Sequence, residues 1–157
     1  MKYRYERSVS RPRPEVFAAF TDLELAADQI EGIDKIELLT DGPMQIGTRF
    51  RETRTMFGKE AVETMTVTEF DRDEKYVTHA ESCGALYKAT YRFEEISDGT
   101  RVEFSFDATP QSFFAKLATP VMGLLMGRMM KKMITKDLDD LIGAIEKRRG
   151  NELGESR

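Results

Sequence analysis

"RSVSRPRPEVFAAFTD", residues 7–22, is the stretch on which the reading of the fold turns. Upstream and into it, Lys2 to Ser10 alternates. Tyr3, Tyr5 and Val9 fall on one face and Arg4, Glu6 and Ser8 on the other, a half-buried strand interrupted on its apolar side by Arg7. Pro12 and Pro14 end that strand, and Pro14 fits the first turn of a helix, where a missing N–H costs nothing. Val16, Phe17 and Phe20 then give a short helix its apolar face, and a second short helix is expected over about Leu23 to Ile30, before Gly32. A chain that lays down a strand and at once crosses away from it places two small helices as a brace at one end of a sheet.

From Ile33 to Thr109 the period is two. Ile36, Leu38 and Leu39 suggest a strand closed by Asp41-Gly42-Pro43, and Thr48 to Met56 a longer one. Phe57-Gly58 reads as a hairpin turn into Lys59 to Phe70, and Asp71 to Glu74 as the next turn. Tyr76 to Ser82, a reversal at Gly84, and Ala85 to Ile96 follow. Asp98-Gly99 is the strongest hairpin signal of the chain. It leads into Thr100 to Ala108, where Val102, Phe104 and Phe106 face one way and Arg101, Glu103, Ser105 and Asp107 the other.

After Pro110 the period turns helical. Phe113, Phe114 and Leu117 make a short amphipathic piece, and Thr119-Pro120 reads as an N-cap with proline at the first helical position, breaking the segment in two. Met126, Met130, Ile134, Leu138, Leu141 and Ile145 form one stripe of a long helix, with Arg128, Lys131, Thr135 and Asp139 on the opposite side. The expected class is therefore α+β: a seven-stranded antiparallel sheet, two short helices after the first strand, and a long C-terminal helix. Residues 1–149 read as one domain and 150–157 as a polar, flexible tail.

Composition narrows the function classes. With 24 Lys and Arg against 28 Asp and Glu, net charge −4, the chain lacks the basic footprint of a nucleic-acid binder. Cys83 is the single cysteine, so no internal disulfide forms, and with no signal-peptide core in Met1–Tyr5 the expected compartment is the cytoplasm. The longest apolar run, Val121 to Gly127, is too short to span a bilayer.

The order of these elements, with "Pro14-x-Val16-Phe17-x-x-Phe20-x-Asp22", "Gly47-Thr48-Arg49-Phe50", "Val67-Thr68-Glu69-Phe70-Asp71", "Tyr91-Arg92-Phe93-Glu94" and "Asp98-Gly99-Thr100-Arg101-Val102", resembles the START-like superfamily with the helix-grip (birch-pollen-allergen-like) fold. Within it, the polyketide cyclase/dehydrase and lipid-transport group is the nearest resemblance. It covers the chain to about Arg148. Many relatives carry a tryptophan where the second short helix ends; Gln29-Ile30 stands here, which bears on how the mouth of a pocket closes. The resemblance implies a cavity between concave sheet and last helix, used in the family for apolar or amphipathic molecules such as lipids, quinones and polyketides. Some members only bind and others assist cyclisation, so fold does not decide function.

Candidate site residues follow from inward positions. "VMGLLMGRMMKKM", residues 121–133, holds five of the nine methionines, flexible side chains that suit either an adaptable cavity wall or an irregular core. Met126, Met130 and Ile134 face inward on either reading. Arg128, Lys131, Lys132 and Lys136 behind them would suit weak peripheral contact with anionic lipid, without stable insertion. Tyr87, Tyr91 and Phe93, with Phe104 and Phe106, form an aromatic wall, and the family resemblance implies that Tyr76, Thr78 and Ala80, on one face of their strand, lie inside with it. Buried tyrosine hydroxyls need partners, which a ligand oxygen or water would supply. If Phe50 points inward, so do Glu52 and Arg54. A two-residue turn at Phe57-Gly58 would pair Phe50 with Met65, Glu52 with Glu63 and residue 54 with 61. The opposed carboxylates would then need Arg54 or a proton between them, making a polar anchor or an acid/base pair. A turn one residue longer slips the register and dissolves the pair, and that longer turn is the preferred reading.

His79, the only histidine, shares a strand face with Val77 and Glu81, which the family resemblance implies is the outer one, and with Cys83 alone nearby no metal site is expected. No cofactor is expected, and no Gly-rich phosphate loop is present. Three function classes stand: a non-catalytic binder or carrier of a small hydrophobic molecule, which leads; a cyclase/dehydratase-type enzyme using Glu52 or Glu63; and a membrane-peripheral or partner-assisting protein.

Overall fold

The structure, a computed structural model, describes residues 2–82, 84–111 and 119–154, with side chains over 126–148 of the last segment. Seven strands form one antiparallel sheet: β1 (Lys2–Val9), β2 (Lys35–Leu38), β3 (Arg49–Met56), β4 (Lys59–Asp71), β5 (Lys75–Ser82), β6 (Ala85–Ile96) and β7 (Gly99–Pro110). Their spatial order is β1-β7-β6-β5-β4-β3-β2. Only β1 is out of sequence, pairing with β7 after the crossover at Pro12 and Pro14. Helices α1 (Arg13–Phe20) and α2 (Leu23–Gln29) occupy that crossover, and α3 (Thr119–Gly154) is the long helix. This is the α+β arrangement expected from the alternation and the helix-grip fold that the family resemblance implied.

Local chemistry sets the joints. Pro14 lies in the first turn of α1, and Asp22 caps α2 by accepting a 3.0 Å hydrogen bond from the Leu25 N–H. α1 buries Val16, Phe17, Ala19 and Phe20 against the sheet. The β3–β4 turn is Phe57-Gly58 alone, both with positive φ (52° and 73°), a type I′ hairpin. The longer turn preferred from sequence is overturned, and Phe50 pairs with Met65, Glu52 with Glu63, Arg54 with Ala61. Glycine at the second position carries the left-handed backbone, and the phenylalanine before it tolerates one. The β6–β7 turn sits one residue earlier than expected, at Ser97-Asp98, because Ile96 pairs with Gly99. Gly99 instead opens β7 with φ 152°, where a Cβ would fall 2.1 Å from the Val9 carbonyl oxygen. A bulge between Val67 and Glu69 returns both Val67 and Phe70 to the core side of β4.

The long helix differs from expectation in three respects. Its buried stripe is Ile134, Leu138, Leu141, Ile142 and Ile145, while Met130 is half-buried and Met126, expected to face the core, is 44% exposed. The stripe of apolar residues runs one turn further than the surface that covers it. Thr135 and Asp139 are not on a free opposite face: the curved sheet brings β1 to that flank, where Tyr3 meets the Thr135 hydroxyl at 2.7 Å and Tyr5 donates to Asp139 at 2.5 Å. The helix also continues past Gly150 to Gly154, where a tail was expected. Thr119, expected as the N-cap before Pro120, is the first residue of the described helix, while the predicted piece at Phe113, Phe114 and Leu117, and Cys83, lie outside the described residues.

Candidate functional site

The concave face is closely packed with aromatic rings near α1 and lined by smaller side chains toward the other end of the strands. Near α1, Phe17 packs edge-on to Phe93 (5.2 Å between centroids) and Phe70 (5.4 Å), and Phe20 to Phe93 (5.3 Å). Tyr76 stacks on Tyr91 at 4.4 Å and donates its hydroxyl to the Phe20 carbonyl at 3.2 Å. Tyr76 and Phe93, expected as ligand contacts, are therefore tied into this packed end. Leu138, Leu141 and Ile145 are buried in the same core, and Phe104, edge-on to Tyr91 at 4.9 Å, marks its border.

Toward the other end of the strands the inward positions turn small. Thr78 and Ala80 on β5, Ala89 on β6 and Ala108 on β7 are cross-strand neighbours of one another and of Tyr87 and Phe106. Tyr87 and Phe106 stack at 5.7 Å beside them, and Met65 lies opposite Ala80. Met65, Tyr87, Ala89, Tyr91, Ala108 and Met130 are all only partly buried, whereas Phe50 and Ile134 at the margins are buried. Large apolar groups are thus left partly accessible beside a run of small inward residues. The three alanines are absent from the sequence-based ligand contacts, although Ala80, Ala89 and Ala108 all occupy inward positions of the alternation.

A polar cluster flanks this half. The Arg54 guanidinium binds Glu52 through Nε and Asp137 of α3 through Nη2 at 2.7 Å. The three side chains are only 13%, 11% and 16% exposed. Burial opposes the charge on Arg54, but the Glu52 and Asp137 carboxylates outweigh it and hold the guanidinium more firmly protonated than usual. Burial pushes the Asp137 carboxyl up against the pull of Arg54, and Glu52 adds to the push. Burial likewise raises the Tyr91 hydroxyl, with the Glu52 and Asp137 charges next in effect. Arg54 thus supplies a cation to Glu52 but not to Glu63, and shares it with Asp137, a residue that sequence reasoning missed. In the sequence, Asp137 stands out only as one of several acids that interrupt the positive charge of the helix. Its position, three after Ile134 and four before Leu141, places it on the buried stripe.

The neighbouring helix acids hold other elements. Arg7 reaches Asp139 at 2.5 Å, and burial followed by Asp139 raises the Tyr5 phenol to about 12. Lys136 binds Glu31 at 2.6 Å and Asp140 at 3.0 Å, while Asp140 also accepts from the Glu31 N–H. Lys131 lies over the Tyr3 ring at 5.6 Å. Two of the four basic residues proposed for a lipid surface, Lys131 and Lys136, are therefore engaged within the fold. Among the described residues no group of three His, Cys, Asp or Glu side chains could hold a metal ion, and no described helix is long and apolar enough to cross a membrane. A separate cleft of about 610 Å³ opens outside the grip, between α1, Met44 and Phe70.

Comparison with known proteins agrees with this architecture. Residues 1–146 match the family described as polyketide cyclase / dehydrase and lipid transport. No curated protein matches the chain by sequence. Among solved structures, the Zhui aromatase/cyclase from Streptomyces sp. R1128 is similar with TM-score 0.78 and 17% identity, over 94% of each chain. The allergen Ara h 8.0201 has TM-score 0.72 and 16% identity, over 92% of this chain and 97% of its own. TTHA0849 from Thermus thermophilus has TM-score 0.70 and 20% identity, over 94% of this chain and 96% of its own. At such identities the likeness is one of fold.

Proposed function

Because the chain belongs to the polyketide cyclase/dehydrase and lipid transport family, we propose that it binds a small hydrophobic or amphipathic molecule in the half of the grip lined by smaller side chains, beneath Met130. The observation that carries this reading is the run of small inward residues (Ala80, Ala89, Ala108) beside partly buried Met65, Tyr87 and Tyr91, with Met130 of α3 also only partly buried against the same core. Preformed apolar hollows with a few convergent polar groups are the usual sites for small molecules. Methionines on two sides suit a wall that adapts to its guest.

The enzyme reading draws support from the family description and from the likeness to an aromatase/cyclase. Binding ranks ahead of it because Glu52 is committed to Arg54, and a carboxylate locked in an ion pair makes a poor proton acceptor. Arg54 and Asp137 are then structural anchors, with Tyr91 at the polar border of the site.

Titration with Nile red, an uncharged environment-sensitive dye, tests the reading. Wild type should bind one dye per chain. Met130→Trp should weaken binding while leaving the melting temperature near wild type, since an open space absorbs the added volume. In a close-packed core the same change costs about 1–3 kcal/mol. Destabilisation of the variant together with no dye binding by wild type would overturn the proposal.

A further inference from the structure

The concave face and the helix above it bring together two guanidinium groups, Arg7 and Arg54, and four carboxylates, Glu52, Glu63, Asp137 and Asp139. Lys131 adds a positive charge only at the β1 margin, over the Tyr3 ring. Both guanidiniums are used by the protein itself. Arg7, half-exposed on the β1 flank, is held by Asp139 and by the Tyr5 hydroxyl at 3.0 Å. Arg54 spends Nε on Glu52 and Nη2 on Asp137. Its Nη1 has no hydrogen-bond partner but is buried against Gly32, where a Cβ would come within 2.9 Å. Neither guanidinium offers an uncompensated charge to a ligand carboxylate inside the grip.

Glu63 is in the opposite condition. It stands directly across from Glu52, on the inward face between Ala61 and Met65, and is half-buried. Glu52 has its cation; among the described residues Glu63 has no hydrogen bond or ion pair. A partly desolvated carboxylate beside another is relieved by a hydrogen-bond donor, and a charge-assisted bond of that kind is about twice as strong as a neutral one. Among the described residues, a second anion beside Glu63 would face two carboxylates, with Arg54 already engaged and the next cation on that side of β4, Lys59, exposed at the hairpin end four residues away.

We infer that Glu63 is the polar recognition residue of the grip, accepting a hydrogen bond from a hydroxyl or amine on an otherwise apolar ligand, and that the site turns away carboxylates. The inference rests on the binding reading above and narrows it from any amphiphile to donor-bearing, non-anionic ones. Fatty acids fall outside this class, and hydroxylated aromatic or alicyclic molecules within it.

Displacement of Nile red by 2-naphthol and by 2-naphthoate at pH 7, matched in apolar body and differing in charge, tests it. Wild type should prefer the naphthol by about ten-fold, as like-charge juxtaposition strongly disfavours the wrong partner. Glu63→Gln should cut that preference to about two-fold, since the amide neither repels an anion nor accepts as strongly. Equal or tighter binding of naphthoate, or an unchanged ratio in Glu63→Gln, would overturn the role of Glu63 while leaving the binding site in place. Failure of Nile red itself to bind would overturn the site and this inference together.

Discussion

Replacing Arg54 with methionine keeps the apolar stem and removes the cation that, among the described residues, joins β3 to α3. Glu52 and Asp137 would then remain largely buried, with Glu63 adjacent and no positive charge between them. Each charge pair, with centres about 4 Å apart, is worth about 4 kcal/mol at an effective dielectric of 20. After allowing for relaxation, stripping the partner from a buried ion pair costs about 3–5 kcal/mol. With a urea slope of about 2 kcal/mol/M, the midpoint should fall by about 2 M at pH 8. The deficit should also depend on pH in a definite sense. Burial already raises the Asp137 carboxyl in the wild type, and without Arg54 it rises further. The folded variant then binds a proton more tightly than the unfolded chain. Its stability is retained below the ordinary carboxylate range and lost as pH rises through the raised value. The gap from wild type should therefore be smaller at pH 5 than at pH 8. Adding Asp137→Leu should recover part of the loss by removing the stranded charge. A midpoint shift below about 0.5 M, equal at both pH values, would refute the claim that this triad is a buried clasp.

Further outcomes are expected elsewhere. Leu138→Asp puts an unpaired charge into the core under α3 and should cost several kcal/mol, on the order of 3 or more; a thermal melt within a degree or two of wild type would place that helix face elsewhere. Asp139→Ala should bring the Tyr5 phenol down from about 12 toward its ordinary value, read by ultraviolet titration at alkaline pH, because Asp139 is the second cause of its rise after burial. The same substitution should cost stability only modestly, within about 1 kcal/mol, since Arg7 and Asp139 are 48% and 40% exposed. Phe57→Asn should stabilise the β3–β4 hairpin by about 0.5–1 kcal/mol, because Phe57 is 77% exposed and holds a left-handed backbone that asparagine adopts more readily.

The sheet is legible in the sequence because period-two alternation survives wherever one face is buried. Val102, Phe104 and Phe106 on β7 point inward as their spacing implies, and the crossover at Pro12 and Pro14 places α1 and α2 where the first strand leaves the sheet. Turn positions are less legible. Phe57 is a poor residue for the left-handed first position of a type I′ turn, so local chemistry argues for a longer loop than the chain uses. The bulge at Thr68 leaves no mark in composition, because one extra residue changes register without changing residue type. For α3, a helical wheel separates buried from exposed faces but does not say how far a curved sheet wraps around the helix. Asp139 and Thr135 fall on the far side of the wheel for that reason, and the edge strand β1 reaches them. Asp137 is legible from its place on the stripe. The run of alanines is harder to see, since small residues in a strand look like gaps in the pattern rather than a surface.

Solution NMR of protein carrying 13C-labelled alanine and methionine methyl groups, titrated with naphthalene, tests the existence and the place of the binding site most directly. The account predicts saturable shifts and probe-to-methyl contacts at Ala80, Ala89, Ala108, Met65 and Met130, with none at Met44 in the outer cleft. Contacts at Met44 alone, or no saturable shift at any of the inward methyl groups, would contradict it.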